Sequence, residues 1–157
     1  IQRLEYEGYQ FEAAEASYEL LVQRVLGKFK PFFATGSVAV RTEAIGAGNP
    51  HSIAEVSVIA KGVEHVESAV GDGPVNALDS ALRKALGRSF PAINEIHLTD
   101  YKVRVVNSEA GTAAKVRVFI EFQDKDKTWT TVGVHENIIE ASWKALVEAI
   151  EYKLHKG

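Results

Sequence analysis

Apolar and polar residues alternate with a period of two in six stretches of the chain and recur at helical spacing in three others. Ser37–Thr42 carries Val38 and Val40 on one face, and Ser52–Ala60 repeats the pattern through Ala54, Val56, Val58 and Ala60. This alternation predicts half-buried strands, because successive side chains of a strand point to opposite faces. A third strand is expected over Val63–Val70, and the Gly46-Ala47-Gly48-Asn49-Pro50 cluster supplies a turn between the first two. Leu98–Val106 places Tyr101, Val103 and Val105 on one face, and Ala114, Val116, Val118, Ile120 and Phe122 alternate cleanly. Asp124-Lys125-Asp126-Lys127 then reads as a hairpin turn into Thr128–Val134, so both aspartates are assigned to turn chemistry.

The helical stretches have their own punctuation. Pro74 suits a first helical turn, where a missing N–H costs nothing. Leu78, Ala81, Leu82, Ala85 and Leu86 form a stripe that Gly87 ends. A second helix over about Asn137–Lys153 sets Ile139, Trp143, Leu146 and Ile150 on one face, widened by Ala141, Ala145 and Ala149. Near the start, Ala14, Tyr18, Leu21 and Val25 predict an amphipathic helix over Phe11–Leu26, after a turn at Gly8-Tyr9. Lys28–Phe33, with Pro31, connects it to the first strand.

Sliding the chain by 64 residues lays Ala77–Leu82 on Ala141–Leu146, with identities at Ala77/Ala141, Ala81/Ala145 and Leu82/Leu146. The same offset pairs Ala54, Val56 and Val58 with Val118, Ile120 and Phe122. Earlier in each half the register slips by one, and Val38 and Val40 are matched to Val103 and Val105. The expected fold class is α+β: two pseudo-repeated βββα units, antiparallel sheets packed with helices, preceded by a helical linker segment. Residues 1–30 form the linker and 31–157 the domain proper, with repeats at about 33–96 and 97–157.

Composition narrows the function. The 157 residues are 46% hydrophobic and 25% charged, as in ordinary packed domains. No apolar run approaches the roughly 18–20 residues that cross a bilayer, and no leader is visible, so neither a membrane nor secretion is expected. The net charge of −3 argues against a generic nucleic-acid binder. One strip of Lys102, Arg104, Lys115 and Arg117 keeps an RNA-binding α/β module as a competing reading, although Glu121 interrupts it. With no methionine and a start in mid-pattern, the chain is expected to be a segment of a longer polypeptide.

Catalysis needs a nucleophile, a base or a metal cage. Cysteine is absent, and His51, His65, His97, His135 and His155 do not fall at ligand spacing. No G-x-S-x-G, P-loop or G-x-G-x-x-G occurs, so neither catalytic residues nor a metal or cofactor are expected, and a small independent enzyme is disfavoured. The candidate chemistry lies in Gly71-Asp72-Gly73-Pro74-Val75-Asn76, between a strand and a helix. Glycines let the backbone approach a bound group, and the helix start offers N–H donors and partial positive charge. The second helix also follows a glycine, in Gly133-Val134-His135-Glu136-Asn137. Two such starts suit a small zwitterion such as a free amino acid. Its carboxylate would meet helix N–H groups and its ammonium Asp72, Asp100 or a carbonyl. Its side chain would lie among Leu98, Tyr101, Val75 and Ile138.

Four segments carry a family likeness: Gly71–Leu82, Leu98–Val105, Gly111–Val118 and Trp129–Leu146. Together they resemble the C-terminal regulatory domain shared by isopropylmalate and citramalate synthases. Glu7–Phe11 with Ala16–Leu21 resembles the linker that joins the catalytic barrel to that domain. The Asp-Tyr-Lys-Val-Arg-Val and Asn-Ile-Ile-Glu-Ala-Ser-Trp stretches favour the citramalate branch. The resemblance implies a cytoplasmic homodimer whose parent condenses acetyl-CoA with pyruvate to (R)-citramalate, in a metal-dependent barrel outside this segment. It also implies feedback by isoleucine, or by leucine if the chain belongs to the other branch. Carried over by position, the effector pocket uses Gly71, Asp72, Gly73, Pro74, Val75 and Asn76. Leu98, Asp100, Tyr101, Val105 and Thr112 follow, and Glu136 and Ile138 close it. The chain departs from the family pattern at His135, where serine is frequent, and at Glu136, where proline is.

Overall fold

Ala54, Val56, Val58 and Ala60 are all buried, and so are Val118, Ile120 and Phe122. Each row is the inward face of the central strand of a three-stranded antiparallel sheet. The computed structural model describes residues 14–43, 51–106 and 114–156. The Gly46–Pro50 turn, the Gly8-Tyr9 turn and Thr112 lie outside the described residues.

The chain divides into two compact units, Pro31–Glu95 and the combination of Ile1–Lys30 with Ile96–Gly157. In the first, β1 (Phe33–Glu43), β2 (His51–Ala60) and β3 (Val63–Gly71) form a sheet in the order β1-β2-β3. The helix Pro74–Leu86 covers β2 and β3 and meets β1 only at its margin. A short 3-10 turn, Pro91–Glu95, follows and buries Ile93. In the second unit, β4 (His97–Val106), β5 (Lys115–Gln123) and β6 (Thr128–His135) pair in the order β4-β5-β6. There the helix Ile138–Lys156 covers β5 and β6, and Glu15–Val25 forms one more helix against β6. In chain order the helices are α1 (Glu15–Val25), α2 (Pro74–Leu86) and α3 (Ile138–Lys156). The expected pair of βββα units is therefore present.

Packing explains the elements. Leu78, Leu82 and Leu86 of α2 and Leu146 and Ile150 of α3 are fully buried, each contributing about 1.5–3 kcal/mol. The alanines at 77, 81 and 85, and at 141, 145 and 149, are buried beside them and keep helix and sheet close. Gly133 marks the closest approach in the second unit: a Cβ there would run into the Ala141 carbonyl oxygen of α3. Gly87 follows α2 in ordinary right-handed backbone. Its missing side chain makes room for Asn94, whose Oδ1 would lie 2.8 Å from a Cβ.

Two expectations need correction. Val38 pairs with Val56 and Val40 with Ala54, whereas Tyr101 pairs with Ile120 and Val103 with Val118. Val38 and Val40 therefore correspond to Tyr101 and Val103, an offset of 63, and the slip runs opposite to that expected. The slip arises after these residues: Val40 and its partner Ala54 are 14 positions apart and Val103 and Val118 are 15, so the connection from first to second strand is one residue longer in the second half, which strand periodicity does not register. Both first strands also carry a bulge, between Thr35 and Val38 and between Leu98 and Asp100. The second correction concerns α1. It buries Ala16, Ser17 and Leu20, while Tyr18 and Val25 on the expected stripe are exposed. A helix seated on a sheet edge needs small residues for close approach, and a hydrophobicity pattern does not register Ser17.

Candidate functional site

The expected site residues fall in both units, and each group has its own local logic. In the first unit, β3 ends at Gly71 and α2 begins at Pro74, with two residues between them. A Cβ on Gly71 would sit 2.5 Å from the Ala77 amide nitrogen and 2.8 Å from the Asn76 carbonyl carbon, so glycine is obligatory there. Gly73 is the N-cap residue, in extended backbone (φ −151°, ψ 176°) that any residue adopts, and a Cβ on it meets nothing within 4 Å. The two glycines thus differ. Gly71 lets strand and helix backbones touch, and Gly73 leaves the space before the helix open.

Pro74 opens α2, the Ala77 N–H donates to the Gly73 carbonyl at 3.0 Å, and no side chain caps the helix start. Nor does an acidic residue lie in its first turn. The partial positive charge of the helix end is therefore unanswered by the helix's own side chains. Asp72 and Asn76 are exposed beside it, while Val75 is buried in the core.

The second helix starts differently. Asn137 Oδ1 accepts the N–H groups of Ile139 at 2.8 Å and Glu140 at 3.2 Å. His135 Nδ1 accepts the Asn137 N–H at 2.9 Å. This is a side-chain N-cap, and Glu140 adds a carboxylate to the first turn. Glu136 and Ile138 are exposed at this end. The two helix starts, similar in sequence position, are electrostatically unlike, and α2 is the one that keeps donors for an outside anion.

On β4, Tyr101, Val103 and Val105 pair with Ile120, Val118 and Val116, whose face α3 covers on β5 and β6. Tyr101 and Val105 are nevertheless 46% and 67% exposed, because β4 lies beyond the helix. They form an apolar strip with the half-buried Leu98. Asp100 points to the opposite face, directly across from Glu121, and shares no surface with Tyr101. That opposite face holds a shallow hollow lined by Asp100, Lys102, Phe119, Glu121 and Thr130, with Thr99 Oγ1 donating to Glu121 Oε1 at 2.8 Å. Lys102, Arg104 and Arg117 also stand there, and burial lowers the Arg117 guanidinium below its ordinary pKa. Acidic and basic groups are interleaved on this face, and Arg104 lies directly opposite Arg117. Among the described residues no group of three His, Asp or Glu is placed to hold a metal ion.

The pattern reading did not single out one polar cluster. Ser17 of α1, Glu148 of α3 and the edge amides of β6 form a hydrogen-bonded network, and Ser17 is almost fully buried. A buried serine on an otherwise apolar helix face was the signal available for it.

Residues 12–154 match the family described as the LeuA allosteric (dimerisation) domain. The (R)-citramalate synthase of Synechocystis sp. is 50% identical over 158 residues, covering 98% of this chain and 29% of that protein. Those of Geobacter sulfurreducens and Aquifex aeolicus are 49% and 50% identical, over 100% and 99% of this chain and 30% of each relative. The chain thus spans about three-tenths of the length of these synthases.

Proposed function

Since the chain belongs to the LeuA allosteric (dimerisation) domain family, we propose that it pairs two copies of a citramalate synthase-like enzyme and binds that enzyme's end product, isoleucine, as a feedback signal. The chain itself is non-catalytic. Its parent condenses acetyl-CoA with pyruvate to (R)-citramalate in a metal-dependent barrel, in the cytoplasm, as the entry to isoleucine synthesis.

The observation that carries the effector reading is the open start of α2 behind Gly71-Asp72-Gly73. An amino-acid carboxylate there accepts the free first-turn N–H groups and gains about 0.3–1 kcal/mol from the helix dipole, up to about 2 in a sheltered geometry. Asp72, exposed on the same loop, is the counter-charge for the ammonium group. Burying a branched C4 side chain adds about 1.5–3 kcal/mol, and the shape of the site separates leucine from isoleucine by about 1–3 kcal/mol. Useful feedback needs only about 1–3 kcal/mol of coupling to the distant active site.

Thermal denaturation with equal concentrations of isoleucine, leucine and valine tests this. Isoleucine is expected to raise Tm most; a larger rise with leucine would assign the chain to leucine sensing, and no rise up to several millimolar would overturn effector binding. Gly73→Asp is expected to fold, since its Cβ has open space, and to lose the response because a carboxylate occupies the anion position. Gly71→Ala, by contrast, is expected to compromise folding.

A further inference from the structure

On the face of the second sheet away from α3, register sets the side chains in rows. Asp100 stands opposite Glu121, and Glu121 opposite Thr130. In the next row Lys102 stands opposite Phe119, and Phe119 opposite Val132. Such rows are two residues apart along a strand, about 7 Å. The hollow lined by Asp100, Lys102, Phe119, Glu121 and Thr130 lies across both rows. α1 borders it on the β6 side: Glu15 Oε1 accepts the Thr130 N–H at 3.1 Å. Phe119 and Leu21 pack on the buried cluster of Ala14, Val132 and Val134.

Each lining group has its own chemical preference. Two carboxylates directly opposite each other on neighbouring strands repel, and a cation held between them removes that cost. Glu121 Oε1 accepts the Thr99 hydroxyl at 2.8 Å, which fixes its carboxylate at the rim. Lys102, one row along the same strand as Asp100, presents an ammonium to an anion. Phe119, directly across from Lys102, supplies an apolar surface between the charges. A lysine among the lining groups opposes a metal ion, and two carboxylates oppose a simple anion. A molecule that answers all of them carries a cation and an anion a few bonds apart and an apolar substituent.

We propose that this hollow is a second binding site for an apolar α-amino acid, in the second unit and independent of the glycine loop of the first. The ammonium group sits between Asp100 and Glu121, the carboxylate meets Lys102, and the side chain lies on Phe119. Asp100 thus serves an amino-acid ammonium on the face opposite Tyr101.

Amide NMR spectra of the 157-residue chain titrated with isoleucine, ethylamine and acetate provide the test. Isoleucine is expected to shift the amides of Asp100, Lys102, Phe119 and Glu121 saturably. Ethylamine and acetate, which each carry one of the two charges, are expected to bind at least about tenfold more weakly. Asp100→Asn and Lys102→Met are each expected to weaken isoleucine binding at the hollow about tenfold, the loss of one charge-assisted hydrogen bond. Both side chains are exposed, so neither substitution removes a buried contact. Ethylamine binding as tightly as isoleucine would reduce the hollow to a cation site and overturn the proposal. So would undiminished isoleucine binding in both variants, or silent hollow amides up to several tens of millimolar. The Gly71–Asn76 amides report separately on the effector reading: a loop response with a silent hollow overturns only the second site, and the reverse overturns only the effector site.

Discussion

Asp124 shows how much one side chain can tie together. Its Oδ1 accepts the N–H groups of Asp126 and Lys127, both at 2.8 Å, closing the β5–β6 turn. Its Oδ2 accepts Lys153 Nζ of α3 at 2.7 Å, and both side chains are almost entirely buried. The turn role was legible from Asp-Lys-Asp-Lys, but the lysine partner, 29 residues away, was not. The Lys153 hydrogen bond first, then the turn amides, hold the carboxyl well below its ordinary pKa of 3.8 despite an opposing desolvation cost. A depressed folded pKa means that the unfolded chain takes up the proton first on acidification. The stability from Asp124 is thus fully present above about pH 4 and is lost as pH falls below 3.8 towards the folded value. Asp124→Asn is expected to lower stability at neutral pH by about 1–3 kcal/mol, and that deficit should shrink at acid pH. Urea denaturation at pH 7 and pH 3 checks this; a pH-independent deficit would refute the assignment.

Between elements, the contrast of the two helix starts matters most. Sequence spacing made α2 and α3 equivalent, and both do follow strands of pseudo-repeated units. Their capping differs because Asn137 reaches the Ile139 and Glu140 amides, whereas Gly73 has no side chain to offer. Replacing Asn137 with alanine is expected to cost about 0.5–2 kcal/mol, measured as a lower urea midpoint. The same method should find Gly73→Ala milder, since no side-chain cap is lost there; equal costs would mean that Asn137 does not cap. The strip Tyr101, Val103 and Val105 was legible as one strand face with Asp100 on the other, because alternation defines both. That Leu98 joins the face of Tyr101 was not, because the bulge between Leu98 and Asp100 falls where sequence has no mark.

For the whole molecule, the unburied apolar surface calls for a partner. Ile59, Val66 and Val70 are exposed together on the face of the first sheet away from α2, and Tyr101 and Val105 are exposed on β4. Exposed apolar groups clustered in this way mark contact surfaces more often than chance. The family's description as a dimerisation domain gives the same reading. Light scattering of the 157-residue chain is expected to return twice its 17.2 kDa mass. A monomer at high micromolar concentration would contradict dimerisation by this chain alone.

The sequence by itself determined the six strands, the helices, their order and the doubled plan, because burial of one face imposes a period of two on strands and about 3.6 on helices. It also marked the glycine loop, since a strand and a helix start cannot approach so closely with a Cβ between them. Only the tertiary structure decided which glycine is obligatory, which helix start keeps its donors and which face Leu98 occupies. It alone joined Ser17 to Val132 and Glu148, 115 and 131 residues away. Those outcomes depend on register and on side-chain hydrogen bonds between distant segments, and hydrophobic periodicity carries no record of either.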